Sequence, residues 1–189
     1  MATRPAADRT RVRRATVLDV PSIARIYNES VRTTTASFDV RPRTLVDRRR
    51  WFAEHGRRHP VFVAVRRDRV VGWASLSPWS DRRGYDATAE VSTYVRSTAR
   101  GQGVGSALLA ALIREGRSVG FHTLIARIAD GNAVSLRLHG TAGFTPVGVM
   151  REVGLKFGRR LDVHLLQLLY PSPNPPASAR NRSARPPRE

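Results

Sequence analysis

The stretch that most constrains this chain is Glu90 to Leu109, EVSTYVRSTARGQGVGSALL. Glu90-Val91-Ser92-Thr93-Tyr94-Val95 alternates in the manner of a strand and is rich in β-branched and aromatic residues. A basic, glycine-rich turn follows, Arg100-Gly101-Gln102-Gly103-Val104-Gly105, and apolar residues then recur at helical spacing through Val104, Leu108, Leu109, Leu112 and Ile113. Strand, glycine turn, helix is a physical device for holding phosphate. Glycines keep side chains out of the way, and the free N–H groups of the helix start point at the anion.

The phosphate ligand can be narrowed. A nucleoside triphosphate loop needs Gly-Lys-Ser/Thr after the glycines, and Val104-Gly105-Ser106 stands there instead. A dinucleotide site needs an acidic residue about 20 residues on, at the end of the next strand, and Asp130 lies too far along. Arg-x-x-Gly-x-Gly after a strand resembles the coenzyme A pyrophosphate loop of the GNAT acetyltransferase superfamily. From this stretch alone, a glycine-rich turn with no ligand remains the alternative.

Composition sets outer bounds. At 189 residues and 41% apolar content, one domain with a full core is expected. No run approaches about 20 apolar residues, and the opening MATRPAADRTRVRR lacks the apolar middle of a secretory signal. A cytoplasmic protein without a membrane span is the expectation. The absence of cysteine excludes disulfides, thiolate metal sites and a cysteine acyl-enzyme. The five histidines show no HExxH arrangement, so no metal is expected. Of the formal charge of +18, +12 falls in residues 1–14, 41–59 and 171–189, two tails and one basic helix. Such charge reads as solvated surface; loose nucleic-acid binding needs nothing more than positive charge, but no helix-turn-helix, zinc-finger or RNP pattern accompanies it.

In chain order, residues 1–10 read as a disordered tail, Arg11 to Val17 as a strand, and Asp19 as the cap of a helix with Pro21 in its first turn. Thr33 to Phe38 reads as a loop, and Thr44 with Asp47 as a capping box for a basic helix to about His55. Val61–Val65 and Val70–Leu76 form a hairpin, and a loop from Ser77 to Tyr85 feeds the Glu90 strand. After the glycine helix come a strand over Thr123–Ile128, a helix from near Asn132 to near Gly143, and strands around Thr145–Met150 and Leu161–Leu169. Residues 171–189, rich in proline and arginine, read as a second disordered tail. The order βααβββαβαββ predicts an α/β (α+β) domain over residues 11–170, with helices on both faces of a mixed, mostly antiparallel sheet.

That order is also the one the GNAT resemblance implies. Within the superfamily the chain is similar to the phosphinothricin and methionine sulfone/sulfoximine N-acetyltransferases. The resemblance rests on Ile26-Tyr27-Asn28, Thr34 to Phe38, Pro78-Trp79, Arg82, Tyr85-Asp86, Thr88-x-Glu90 and Tyr94-Val95. It continues through Asn132, Ser135, Leu138-His139, Gly143-Phe144, Gly154-x-Lys156-Phe157-Gly158 and Leu161-Asp162. It implies a homodimer that uses acetyl-CoA as donor and a small amino-acid-like acceptor, with a role in antibiotic or herbicide resistance.

Acetyl transfer to an amine at neutral pH requires a base, because the protonated amine cannot attack. Period-2 alternation places Glu90, Ser92 and Tyr94 on one strand face and Val91, Thr93 and Val95 on the other. The resemblance assigns Glu90 the role of general base; a strand-end glutamate paired with an arginine is the plain alternative. The resemblance also implies that Thr93, Tyr94 and Val95 pair with the pantetheine arm and that Arg100, Gly101, Gln102, Gly103, Val104, Gly105 and Ser106 wrap the pyrophosphate. Asn132 matches the asparagine on the cofactor arm, and equally an ordinary helix cap. His139 is a candidate acid for the leaving thiolate, or a hydrogen-bonded core histidine. Arg82, Tyr85 and Phe38 are the candidates for the acceptor site, where an arginine fork suits a carboxylate. Two alternatives remain at this stage: a protein or peptide acceptor, and a non-enzymatic acetyl-CoA-binding module whose basic tails bind nucleic acid.

Overall fold

The computed structural model describes residues 9–171; the expectations for residues 1–8 and 172–189 lie outside the described residues. The elements run β1 (Arg11–Arg14), α1 (Val20–Thr33), α2 (Leu45–Ala53), β2 (Val61–Arg66), β3 (Arg69–Pro78), β4 (Thr88–Val95), α3 (Val104–Ser118), β5 (Thr123–Ala129), α4 (Ala133–Thr141), β6 (Thr145–Lys156) and β7 (Arg159–Leu169). All strands join one sheet in the order β1-β2-β3-β4-β5-β7-β6. Only β4 and β5 run parallel; every other neighbouring pair is antiparallel.

Local chemistry explains the helix starts. Thr44 caps α2 reciprocally: its hydroxyl accepts from the Asp47 amide at 3.1 Å, and the Asp47 carboxylate accepts from the Thr44 amide at 3.1 Å. Asp19 does something other than the expected cap. Its carboxylate accepts from the Thr16 amide at 2.8 Å and from the Arg13 guanidinium at 2.7 and 2.9 Å, which fastens the helix entry to β1. β6 runs on to Lys156 rather than stopping near Met150. A bulge between Met150 and Gly154, with Glu152 at φ 50°, breaks the alternation that would have shown the strand in the sequence.

Each sheet face has its own core. On one, Leu108, Leu109 and Leu112 of α3 are fully buried in a cluster with Leu76, Ala89, Val91, Leu124, Ala126 and Ile128. Each such leucine contributes roughly 1.5–3 kcal/mol of burial. On the other, Ile23 and Ile26 of α1 pack with Val61, Val63, Val65 and Trp73. The register of β4 on β3 is unbroken from Ala89 to Val95, so the alternation read from the sequence holds without a bulge. Val91 belongs to the α3 core and Tyr94 packs against the α1 core. Glu90 therefore shares the α1 face.

Candidate active site

β4 and β5 are paired only over Thr88–Glu90 and Thr123–Ile125. Past Glu90, β4 stays with β3 as far as Val95, while β5 stays with β7 as far as Ala129. The two strands part, and the backbone groups of Val91–Val95 on that side turn to a gap instead of a strand.

A cleft of about 1790 Å³ fills the gap and continues over the start of α3. Thr93, Tyr94, Val95, Arg100, Gly101, Gly103, Val104, Gly105, Ser106 and Asn132 line it, which brings together all of the expected donor set except Gln102. The Gln102 side chain turns aside, its Nε2 donating to the Thr98 carbonyl at 3.0 Å and its Oε1 accepting from Arg66. Gly101 and Gly103 have φ of 71° and 79°, the left-handed region where only glycine is at ease. The first turn of α3 leaves its amides without intrahelical carbonyls, in the position that suits a pyrophosphate. Thr93 Oγ1, on the cleft wall, is a buried oxygen with no hydrogen-bond partner among the described residues. Asn132 uses Oδ1 to cap α4, accepting from the Ser135 amide at 3.2 Å.

A second pocket, of about 640 Å³, shares Thr35, Ala36, Thr93, Tyr94, Asn132 and Ser135 with the cleft. Glu90, His139 and Phe38 all line it. Both oxygens of Glu90 accept from one guanidinium: Arg127 Nε donates to Oε1 and Nη2 to Oε2, each at 2.7 Å. The Glu90 side chain is 19% exposed and that of Arg127 is 50% exposed. The far wall is aromatic. Tyr94 stacks on Trp73 with ring centroids 4.8 Å apart, and Tyr27 meets the Tyr94 ring edge-on at 5.2 Å. The Tyr27 hydroxyl donates to Asp39 at 2.7 Å, and the Arg43 fork on Asp39 holds that carboxyl below the usual carboxylate range. Burial pushes the Tyr94 phenol well above its ordinary value.

His139 is buried on α4. Its Nδ1 faces the Ser135 carbonyl at 2.9 Å, where it can only donate, which leaves Nε2 as the acceptor of a neutral ring. Burial lowers its pKa.

Arg82 and Tyr85 do not line either cavity. They sit around the short 3-10 turn before β4, Tyr85 being 48% exposed. The arginine that does line the second pocket is Arg127, which the sequence reading did not single out from its core strand. A lone charge in the apolar run Thr123–Ile128, on the face opposite Leu124 and Ala126, is the signal that marks it. Lys156 was also missed as a buried group. It is 3% exposed, its ammonium donates to the Ser37 carbonyl, and burial pushes its pKa down. Among the described residues no cluster of metal-ligating side chains is present, and no helix is long and apolar enough to cross a membrane.

Residues 23–144 match the acetyltransferase (GNAT) family. The chain belongs to that family. It is 43% identical over 159 residues, 83% of this chain and 92% of the other, to an L-methionine sulfoximine/L-methionine sulfone acetyltransferase of Pseudomonas paraeruginosa. It is similar in structure to a GNAT phosphinothricin acetyltransferase from Sinorhizobium meliloti in complex with acetyl-CoA, with a TM-score of 0.83 and 34% identity over 85% of this chain and 88% of that one. A ribosomal-protein-alanine N-acetyltransferase from Brucella melitensis superposes with a TM-score of 0.82 and 42% identity, covering 84% of this chain and 99% of that one. The protein is an acetyl-CoA-dependent N-acetyltransferase of the GNAT fold.

Proposed function

We propose that this acetyltransferase acts on the α-amine of a small free amino acid of the methionine sulfoximine, methionine sulfone or phosphinothricin type, with Glu90 as general base. The observation that carries the reading is the position of Glu90. It lies where β4 and β5 part, on the wall of a pocket that joins the donor cleft at Thr93, Tyr94 and Asn132. The names of the relatives in Pseudomonas paraeruginosa and Sinorhizobium meliloti support the acceptor class.

In this account Arg100, Gly101, Gly103, Val104, Gly105 and Ser106 hold the pyrophosphate, with Gln102 contributing its backbone alone. Thr93 to Val95 offer the pantetheine arm an edge that no strand pairs, where the Val95 carbonyl now accepts from Arg100 Nε at 3.3 Å, and Asn132 stands beside it. Acetyl-CoA supplies the acetyl group as a thioester. Glu90 takes one proton of the acceptor ammonium, the freed amine adds to the thioester carbonyl, and the amide C–N bond is complete when the C–S bond breaks and the nitrogen gives up its second proton; no covalent enzyme species is needed. That second proton reaches the leaving thiolate through solvent, since His139 has its Nδ1–H held on the Ser135 carbonyl at 2.9 Å and its pKa lowered by burial, and so offers no ready proton of its own. Cytoplasmic location, a resistance role and a homodimer belong to the same proposal. The exposed apolar residues Val147, Val149, Val153, Leu155 and Phe157 on and beside edge strand β6 support the dimer.

Thiol release from acetyl-CoA tests the acceptor directly, and a chain without cysteine gives no background. Turnover on methionine sulfone, methionine sulfoximine or phosphinothricin is expected. The likeness to the Brucella melitensis protein favours a second reading, a protein N-terminus as acceptor. Turnover confined to an alanine-terminated peptide would establish that reading instead.

A further inference from the structure

We infer that Arg127 is the acceptor-recognition residue of this enzyme, a guanidinium that leaves Glu90 for the acceptor's α-carboxylate and so frees the base only when an amino acid is bound. The inference rests on the reading of Glu90 as base and of a free amino acid as acceptor.

The charges of the pocket lead there. Among the described residues lining it, Arg127 is the one arginine or lysine. Arg43 lies outside the lining and is engaged with Asp39 at 2.7 Å. Lys156 also lies outside it and is spent on the Ser37 carbonyl. Arg48 is shut in a separate recess among Tyr27, Trp51 and Trp73, its guanidinium carbon 4.0 Å from the Tyr27 ring centroid. An α-amino acid that enters the pocket therefore meets a single mobile cation for its carboxylate.

That cation is now clamped on the base. Two charge-assisted hydrogen bonds from one fork leave Glu90 with its best lone pairs occupied, a poor arrangement for taking a proton. The pair is, however, the electrostatic complement of a zwitterion. The ammonium and carboxylate of an α-amino acid sit on one carbon, and Glu90 and Arg127 present an anion and a cation side by side. When the acceptor enters, its carboxylate replaces Glu90 on the fork and its ammonium replaces Arg127 on Glu90. Both protein charges stay paired throughout, so neither is left bare. Arg127 has room for the exchange, since half of its side chain is exposed, and the Trp79 ring, 5.7 Å from the guanidinium carbon, gives it a face to slide along. An acceptor with an amide in place of the carboxylate offers the fork no equal partner and leaves the clamp shut.

The test compares methionine sulfone with methionine sulfone carboxamide, which keeps the amine and side chain but removes the negative charge. Both would be assayed with wild type, Arg127→Met and Arg127→Lys. Wild type is expected to prefer the acid. In Arg127→Met, whose stem still packs on Trp79, the ratio of kcat/KM between acid and carboxamide falls by about 10- to 100-fold, the effect of one charged bidentate contact. The acid loses mainly in KM, and carboxamide turnover rises because Glu90 is already released. Arg127→Lys retains part of the preference. Acetyl-CoA binding, measured in each variant, reports an intact fold. Equal losses on both acceptors, or an undiminished preference in Arg127→Met, would overturn the inference while wild-type turnover left the acceptor reading standing. Wild type inactive on both acceptors would overturn the two together.

Discussion

The ring of Phe38 occupies the space where a side chain on residue 154 would begin. A Cβ built on Gly154 falls 2.0 Å from Phe38 Cε1, far inside contact distance. The loop after α1 and the bulged strand β6 thus meet ring on backbone, and that meeting shapes one end of the acceptor pocket. Gly154→Ala must swing the ring, and because Phe38 belongs to a partly exposed loop the ring can yield. The expected result is a KM for the acceptor raised by roughly 10-fold, with stability changed by no more than about 1 kcal/mol. Steady-state kinetics beside thermal unfolding checks both halves.

Arg48 is a buried cation whose surroundings are rings. Among the described residues no carboxylate pairs with it, its Nε lacks a partner, and burial pushes its pKa down. Its packing stabilises the α1–α2 core more than its charge does. Arg48→Ala should cost about 2–4 kcal/mol through lost contacts. Arg48→Met, which keeps the stem and removes a desolvated charge, should stay within about 1 kcal/mol of wild type. Urea unfolding of the two variants separates the terms.

Stability should also record the buried His139. Its folded pKa lies below the ordinary 6.5, so the unfolded chain binds the proton more readily. Its contribution to stability is complete above about pH 6.5 and is lost as pH falls from there toward the lower folded value. His139→Asn, which can still donate to the Ser135 carbonyl, should flatten the slope of unfolding free energy against pH between 5 and 7. His55 and His59 are shifted downward by burial as well, so part of the slope remains in the variant.

The order of elements was legible because each carries its own period and its own caps: Thr44 with Asp47, the glycines before α3, Asn132 before α4. The donor cleft was legible for the same reason, since a contiguous strand, turn and helix build most of it. The pocket beside it was legible only in part: Phe38, Glu90 and His139 line it as expected, but Arg127 and Gly154 come from segments far apart in the chain and were not foreseen. Arg82 and Tyr85 lie near Glu90 in sequence yet outside the lining, because the 3-10 turn carries them along the surface before β4 begins. Arg127 lies far from Glu90 in sequence, and only the parallel pairing of β4 and β5 sets the two side by side. Loss of alternation at the Glu152 bulge hid the second half of β6 and, with it, the seat of Phe38.

The central claim is that Glu90 removes the acceptor's proton, and Glu90→Gln tests it most directly. The variant keeps the size of the side chain and can still accept one hydrogen bond from Arg127, but it cannot take a proton. With methionine sulfone as acceptor, the account predicts a fall in kcat of roughly 100- to 10,000-fold, with acetyl-CoA affinity close to that of wild type. A kcat within a few-fold of wild type would contradict it and return Glu90 to the role of a strand-end partner for Arg127.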